Sequence, residues 1–200
     1  MSNEIFLNKT KFFNNWAPFY DVIFTTIFYQ AVHKRLLEYV TFNPQPFVLD
    51  LGCGTGRLLN RLALNFPDLR AIGLDLSPEM LRQARKKNQH RDRIIFKQGN
   101  SHQLPFANNQ FDVVFNTISF LHYPNPDEVF KEVSRVLKKG GYFYLVDYES
   151  VGGSSNLKFS PGGLRFYNKK QRQELGNNAN LTCLSHHYLI NSVMLTIFRK

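Results

Sequence analysis

The sequence predicts an α/β fold, a parallel sheet wrapped by helices, from three observations. Phe47–Leu51 is apolar at every position but Asp50 and is bounded by Pro46 and a glycine cluster, the pattern of a short strand buried on both faces. Gly52, Gly54 and Gly56 follow at alternate positions and lead at once into the helical pattern RLLNRLALNF. A second strand, AIGLD, then ends on Asp75, and helical and extended patterns alternate from there to residue 148. Strand, glycine turn and helix in succession make the geometry of a nucleotide-type pocket at the carboxyl end of a parallel strand.

Residues 1–16 are polar with scattered phenylalanines and read as irregular. From Ala17 to Val40 the pattern turns helical: Phe24, Phe28, Val32, Leu36 and Val40 recur every four residues, with Ile23 and Ile27 beside them. Pro18 suits a first helical turn and Pro44 ends the segment. The alternation then reads strand 47–51, helix 56–65, strand 70–75, helix 77–89, strands 94–98 and 111–117, helix 126–138 and strand 141–148. Ser77, Pro78 and Glu79 make a good helix start, with a hydroxyl cap and a proline in the first turn. Gly140-Gly141 reads as the left-handed stop of one helix and the opening of the next strand. The glycine- and serine-rich stretch 152–163 marks a mobile loop. A helix over 167–176 and two strands, 181–190 and 193–198, follow, with Asn191-Ser192 suited to a tight hairpin.

Composition narrows the function. Two hundred residues with 43% hydrophobic content suffice for one core and one domain. No secretory pattern opens the chain, and its most apolar run, Ala17–Val32, carries Asp21 and falls short of a membrane span. Cys53 and Cys183 are few and far apart, which points to a reducing, cytoplasmic setting. Cys53 sits where the glycine turn needs a small side chain, not where a thiol would be catalytic. Lys and Arg outnumber Asp and Glu by 25 to 15, and the net +10 favours an anionic partner such as a membrane surface. The densest basic run, Arg82–Arg93, reads as a solvated helix face. No aromatic residues interleave with it, so nucleic acid is a poor candidate.

A dinucleotide fingerprint would require a third glycine at position 57, which is Arg57. The chain instead has D-x-G-x-G-x-G beginning at Asp50, and this resembles the class I S-adenosylmethionine (SAM)-dependent methyltransferases. LDLSPEMLRQAR at 74–85 is similar to that family's segment after its ribose-binding acid. QGNSHQLPFANNQFDVVF at 98–115 is similar to its adenine loop and fourth strand, and FLHYPNPDEVFKEVSRVLKKGGYFYLVD at 120–147 to its next helix and fifth strand. The likeness runs in order over residues 46–150. It is strongest to the small type-11 branch, which includes quinone-biosynthesis C-methyltransferases and phospholipid N-methyltransferases. Lys139 stands where the family usually has proline.

The resemblance implies a Rossmann-like, doubly wound and mostly parallel seven-stranded sheet in the order 3-2-1-4-5-7-6. It also implies a terminal antiparallel hairpin and an N-terminal helical cap, with residues 1–45 as cap or lid and 46–200 as the SAM-binding domain. SAM is the implied cofactor. Gly52, Gly54, Thr55 and Gly56 would approach its methionine and ribose parts, while Asp50 orients the loop and meets the amino group. Asp75, followed by Leu76, would take the ribose hydroxyls. Asn100 and Ser101 fall at the adenine position, and Asn116 and Ser119 face the amino acid moiety and the acceptor. His122 is the candidate to accept a proton from the acceptor, with Tyr20 in the lid entry WAPFYD at 16–21 reaching the substrate. Tyr123, Asp147 and Tyr148 are weaker candidates of the same kind, and no metal is implied.

The implied function is methyl transfer to a small-molecule or lipid-like acceptor, a quinone precursor or phospholipid, with peripheral contact to an anionic membrane. No N/D-P-P-Y/F sequence follows the fourth strand, where Asn116-Thr117-Ile118-Ser119 stands instead. This argues against amino-group methylation of DNA or glutamine. Two other readings stay open: a catalytically silent SAM-binding regulatory module, and a nicotinamide-dependent oxidoreductase, against which Arg57 stands.

Overall fold

Burial on both faces sets the middle of the sheet. In β1 (Phe47–Leu51) every residue after Phe47 is buried, and β4 (Phe111–Thr117) beside it is buried at all but Asp112. Alternation sends Val48 to one apolar layer and Leu49 and Leu51 to the other. The computed structural model describes residues 7, 8, 10, 11, 14, 23–149 and 163–200. Around β1 and β4 it places β2 (Arg70–Asp75), β3 (Ile94–Gln98), β5 (Leu137–Tyr148), β6 (Thr182–Ile190) and β7 (Val193–Arg199). The seven strands form one sheet in the order β3-β2-β1-β4-β5-β7-β6. β1 to β5 pair in parallel, and β7 runs antiparallel to both β5 and β6. This is the Rossmann-like order expected from the sequence.

Helices cover both faces. On one, α1 (Ile23–Leu37), α2 (Arg57–Asn65) and α3 (Pro78–Lys87) contribute Val32, Leu36, Leu58, Leu62 and Leu81 to a shared core. On the other, α4 (Pro126–Val136) and α5 (Lys169–Asn178) bring Val129, Phe130, Val133 and Leu175. The four-residue spacing of Val32 and Leu36 accounts for their burial, Val40 is buried just past the helix end, and Phe28 packs half-buried against the same core. α3 starts as its sequence demands, with Ser77 Oγ accepting from Met80 N at 3.1 Å and proline in the first turn. Asn191, at φ 45°, turns the β6–β7 hairpin, with Ile190 paired to Val193.

Two expectations need correction. Helix α4 ends at Val136 and β5 begins at once, so Gly140-Gly141 lies inside the strand and does not cap the helix. Leu137 both closes the helix, donating to Val133 O, and pairs with Phe111. The ladder then slips before Val113, and Gly140 takes φ 76° while donating to Lys200 O at 2.8 Å. A left-handed glycine thus serves a bulge here, and from sequence a bulge and a helix cap look alike. Second, the described residues between 7 and 14 are helical, not irregular. Asn14 Oδ1 accepts from Ser77 Oγ at 2.6 Å, so docking onto α3 overrides a polar local pattern. The loop at 152–162, the lid entry at 16–21 and Tyr20 lie outside the described residues.

The sheet positions the site by bringing the carboxyl ends of β1, β2 and β4 together, and one glycine decides how tightly. Gly56 adopts φ 76°, and a Cβ there would stand 2.5 Å from the Phe96 ring on β3. Gly56→Ala is therefore expected to cost about 1–3 kcal/mol through strain and overlap. Urea unfolding would measure this, and Phe96→Leu in the same chain should recover the steric share.

Candidate functional site

The glycine turn after β1 is folded back over the end of β2. Gly52 N and Cys53 N both donate to Leu74 O, at 2.8 and 3.1 Å, and Gly54 N donates to Asp75 Oδ2 at 2.8 Å. Asp75 Oδ1 accepts from Ser77 N at 2.8 Å. One carboxylate therefore ties the turn to the start of α3. An ionised carboxylate has about four lone-pair sites, so roughly one or two of those on Asp75 are left for a ligand. Burial raises the Asp75 carboxyl above its usual range, and the N–H donors of Ser77, Gly54 and Leu76 oppose that shift. Gly54 faces open space, whereas Gly52 is crowded: a Cβ there would stand 2.4 Å from Ser119 Oγ. The turn can close only because these positions carry no side chain.

Asp50 stands beneath the turn, 1% exposed, and its Oδ1 has no hydrogen-bond partner. Burial pushes its carboxyl well above the ordinary value, and the charge of Asp75 adds to that. Thr55 Oγ1 and Asn116 Oδ1 are likewise buried without partners. Buried polar atoms are nearly always satisfied, so three orphans around one turn mark a place built for a polar ligand. Cys53 is buried, and burial together with the charges of Asp75 and Asp50 drives its thiol well above the usual value. It is a packing residue.

The turn after β4 forms the facing wall. Asn116 Nδ2 lies 2.9 Å from Leu51 O, 2.8 Å from Ser119 Oγ and 3.0 Å from the Tyr123 hydroxyl, and Ser119 Oγ also donates to Leu51 O. The structure thus brings Asn116 and Ser119 against the glycine turn and adds Tyr123, whose phenol burial holds well above its usual pKa. His122 follows on a short 3₁₀ turn, Phe120–His122, half-buried. Asn100, just past the end of β3, accepts from His102 N through Oδ1 at 3.0 Å, and Ser101 next to it is buried. Leu76 O accepts from Gln98 Nε2.

Sequence reasoning missed three features of this wall. Ile118 takes φ 50°, a left-handed conformation that a β-branched residue rarely adopts, and nothing in Asn-Thr-Ile-Ser signals it. Arg172 on α5 is 1% exposed on a helix that otherwise reads as polar surface. Asp147 is 2% exposed and hydrogen-bonded to main chain, not presented to a substrate. Only its place at the end of β5, after four buried residues, hinted at burial. Among the described residues no group of His, Cys, Asp or Glu could hold a metal ion, and no helix is long and apolar enough to cross a membrane.

Comparison with known proteins agrees with this geometry. The family model described as a methyltransferase domain matches residues 49–145. The malonyl-[acyl-carrier protein] O-methyltransferase of Herminiimonas arsenicoxydans is 39% identical over 129 residues, 64% of this chain and 46% of that protein. The demethylmenaquinone methyltransferase of Lactiplantibacillus plantarum is 34% identical over 149 residues, 70% of this chain and 62% of that protein. The chain therefore spans about half the length of such curated relatives. A chain from the complex between the Haloferax volcanii Trm112 methyltransferase activator and a methyltransferase shares the fold, with a TM-score of 0.84 at 21% identity over 96% of both chains. Residues 49–145 thus match a methyltransferase domain, set on a Rossmann-like sheet.

Proposed function

We propose that this protein transfers a methyl group from SAM to a small, lipid-like acceptor, with a quinone precursor favoured over a phospholipid. The observation that carries the reading is Asp50: a buried carboxylate with an unpartnered oxygen beside a bare glycine turn wants a cationic partner. SAM fits that demand through its amino group, and when bound it supplies a methyl carbon already activated by a sulfonium. The chain's own task is then alignment and exclusion of water. Asp50 meets the amino group, and the free lone pairs of Asp75 take the ribose hydroxyls. Asn100, whose amide carries both donor and acceptor, is proposed to meet the adenine. Leu76 and Ser101 complete the nucleoside side, while Gly52, Gly54, Thr55, Gly56, Asn116 and Ser119 enclose the amino acid end.

Two features support an apolar, ring-bearing acceptor. Phe28 on α1 and Tyr148 at the carboxyl end of β5 lie parallel, 3° apart with centroids 6.2 Å apart, and so bring flat apolar surface to the acceptor side of the sheet. Relatives in sequence include a demethylmenaquinone methyltransferase. His122, on the same side, is proposed to accept the proton that a ring carbon must lose. Residues 1–45 are proposed to act as a cap on the domain 46–200. α1 is anchored by the fully buried Val32 and Leu36, and Asn14 reaches Ser77 beside Asp75. The net +10 charge favours peripheral contact with an anionic membrane, where such an acceptor would reside.

The defining experiment incubates the protein with methyl-labelled SAM and fractionated cell extract, then weighs what gains label. Label in the organic fraction is the expected result. Label in aqueous metabolites alone would discard the lipid-like acceptor but keep the enzyme class, and an absence of SAM binding by calorimetry would discard both. Asp75→Ala should weaken SAM on the order of ten- to hundredfold, since charge-assisted bonds are worth roughly 1.5–3 kcal/mol each.

Asp50→Asn should separate stability from binding. The folded carboxyl holds its proton to a higher pH than the unfolded one, whose value is 3.8. Its contribution to stability is thus complete below that pH and is lost as pH rises through the folded value. Removing the ionisable carboxyl should raise the melting temperature of the ligand-free protein more at pH 8 than at pH 4, by a few degrees, about 1 kcal/mol. SAM affinity should fall in the same variant. Thermal unfolding and calorimetry at two pH values would check both signs.

A further inference from the structure

We infer that Asp147, bracketed by Arg172, is a positioning residue for the donor pocket: it pins the turn after β4 so that Asn116, Ser119 and Tyr123 press against Leu51 and Gly52. The inference rests on the SAM site proposed above and goes beyond it to a pair of residues outside that site.

The turn needs pinning because its backbone is strained. Ile118 at φ 50° opens it, and conformations of this kind persist only where the surroundings over-determine them. Three main-chain contacts do so. Ile118 N donates to Val146 O at 2.7 Å, Leu121 N donates to Asp147 Oδ2 at 3.0 Å, and Arg165 N donates to Leu121 O at 2.9 Å. The second of these depends on a side chain that can be changed. The other oxygen of Asp147, Oδ1, accepts from Tyr148 N at 2.8 Å, so the carboxylate joins the end of β5 to the turn and is not presented to the cleft.

Such a buried carboxylate needs compensation, and Arg172 supplies it. Its guanidinium lies inside the fold and donates to the carbonyls of Asp147 (2.9 Å), Tyr148 (3.1 Å), Met194 (2.9 Å) and Tyr167 (3.2 Å). One side chain from α5 thereby clamps the carboxyl end of β5 to its antiparallel neighbour β7, at the register where Asp147 faces Met194. Burial raises the Asp147 carboxyl to about 6, while the Arg172 charge and the N–H donors pull it down, so both oxygens accept at neutral pH. Arg172 from α5 is the ionisable side chain that acts on it; burial raises the phenols of Tyr148 on the same strand and Tyr167 ahead of α5, and the charge of Asp147 adds to that. Downstream of the pinned turn, Asn116 Nδ2 and Ser119 Oγ reach Leu51 O, and Ser119 Oγ fills the space where a Gly52 Cβ would sit. Loosening Asp147 should therefore be felt at the amino acid end of the donor and not at its nucleoside end.

Two titrations test this. Wild type, Asp147→Asn and Arg172→Lys are each titrated with SAM and with 5′-deoxy-5′-methylthioadenosine, which keeps the nucleoside but lacks the amino acid, and folding is monitored by circular dichroism and urea unfolding. SAM affinity is expected to fall on the order of tenfold in both variants with methylthioadenosine affinity unchanged. Equal loss of both ligands, or loss of neither, would overturn the positioning role. So would failure of both variants to fold, which would make the pair a plain stability element. A wild type that binds neither ligand would remove the SAM site itself, and the inference with it.

Discussion

The fold's working part hangs on a few main-chain bonds between two loops. Leu74 O accepts from Gly52 and Cys53, and Asp75 accepts from Gly54 and Ser77, so the exit of β1 is stitched to the exit of β2. Such bonds require the backbone to approach without side chains, and the positive φ values of Gly52, Gly54 and Gly56 show how sharply it bends. The parallel register of β1 with β2, Asp50 beside Gly73 and Leu51 beside Leu74, brings the two exits level. The pocket is therefore a property of strand pairing as much as of the glycine motif.

Electrostatics makes that pocket selective. Asp50 and Asp75 are acids in a chain of formal charge +10, yet Asp50 is buried and the half-buried Asp75 is held by the main-chain N–H groups of Gly54 and Ser77. The charge of Asp75 adds to the burial that pushes the Asp50 carboxyl up, so a second negative charge in the pocket is disfavoured. A ligand carrying positive charge relieves what a neutral or anionic one would not. A dinucleotide phosphate would meet two carboxylates here, and Arg57 in place of a glycine closes the longer turn it would need.

Much of this was legible in the sequence. Strands β1 and β4 fell where apolar runs and glycine clusters put them, because strands buried on both faces leave little choice of residue. The glycine turn and Asp75 were legible because main-chain chemistry needs those residue types. The α4–β5 junction was not, since Gly140 satisfies a bulge and a helix cap equally well. Arg172 was not legible either: on a helix rich in Lys, Gln and Glu, its burial is decided by where β5 and β7 present free carbonyls, a tertiary fact. Asp147 appeared as a weak candidate for chemistry, and the structure turns its carboxylate toward the backbone instead.

The two walls of the cleft are thus built on different principles. The donor-side turn is fixed by local sequence, through glycines and a strand-end acid that fold nearly anywhere the sheet forms. The facing wall holds a conformation its own residues do not favour, with Ile118 left-handed, and relies on the buried Asp147 carboxylate of β5 and on Arg172 of α5, which grips the β5 carbonyls beside it. Buried ionic groups contribute little net stability, but they penalise alternative packings heavily because a displaced charge is left without partners. A wall of that kind can be reshaped for a different acceptor through distant residues while the donor turn stays intact.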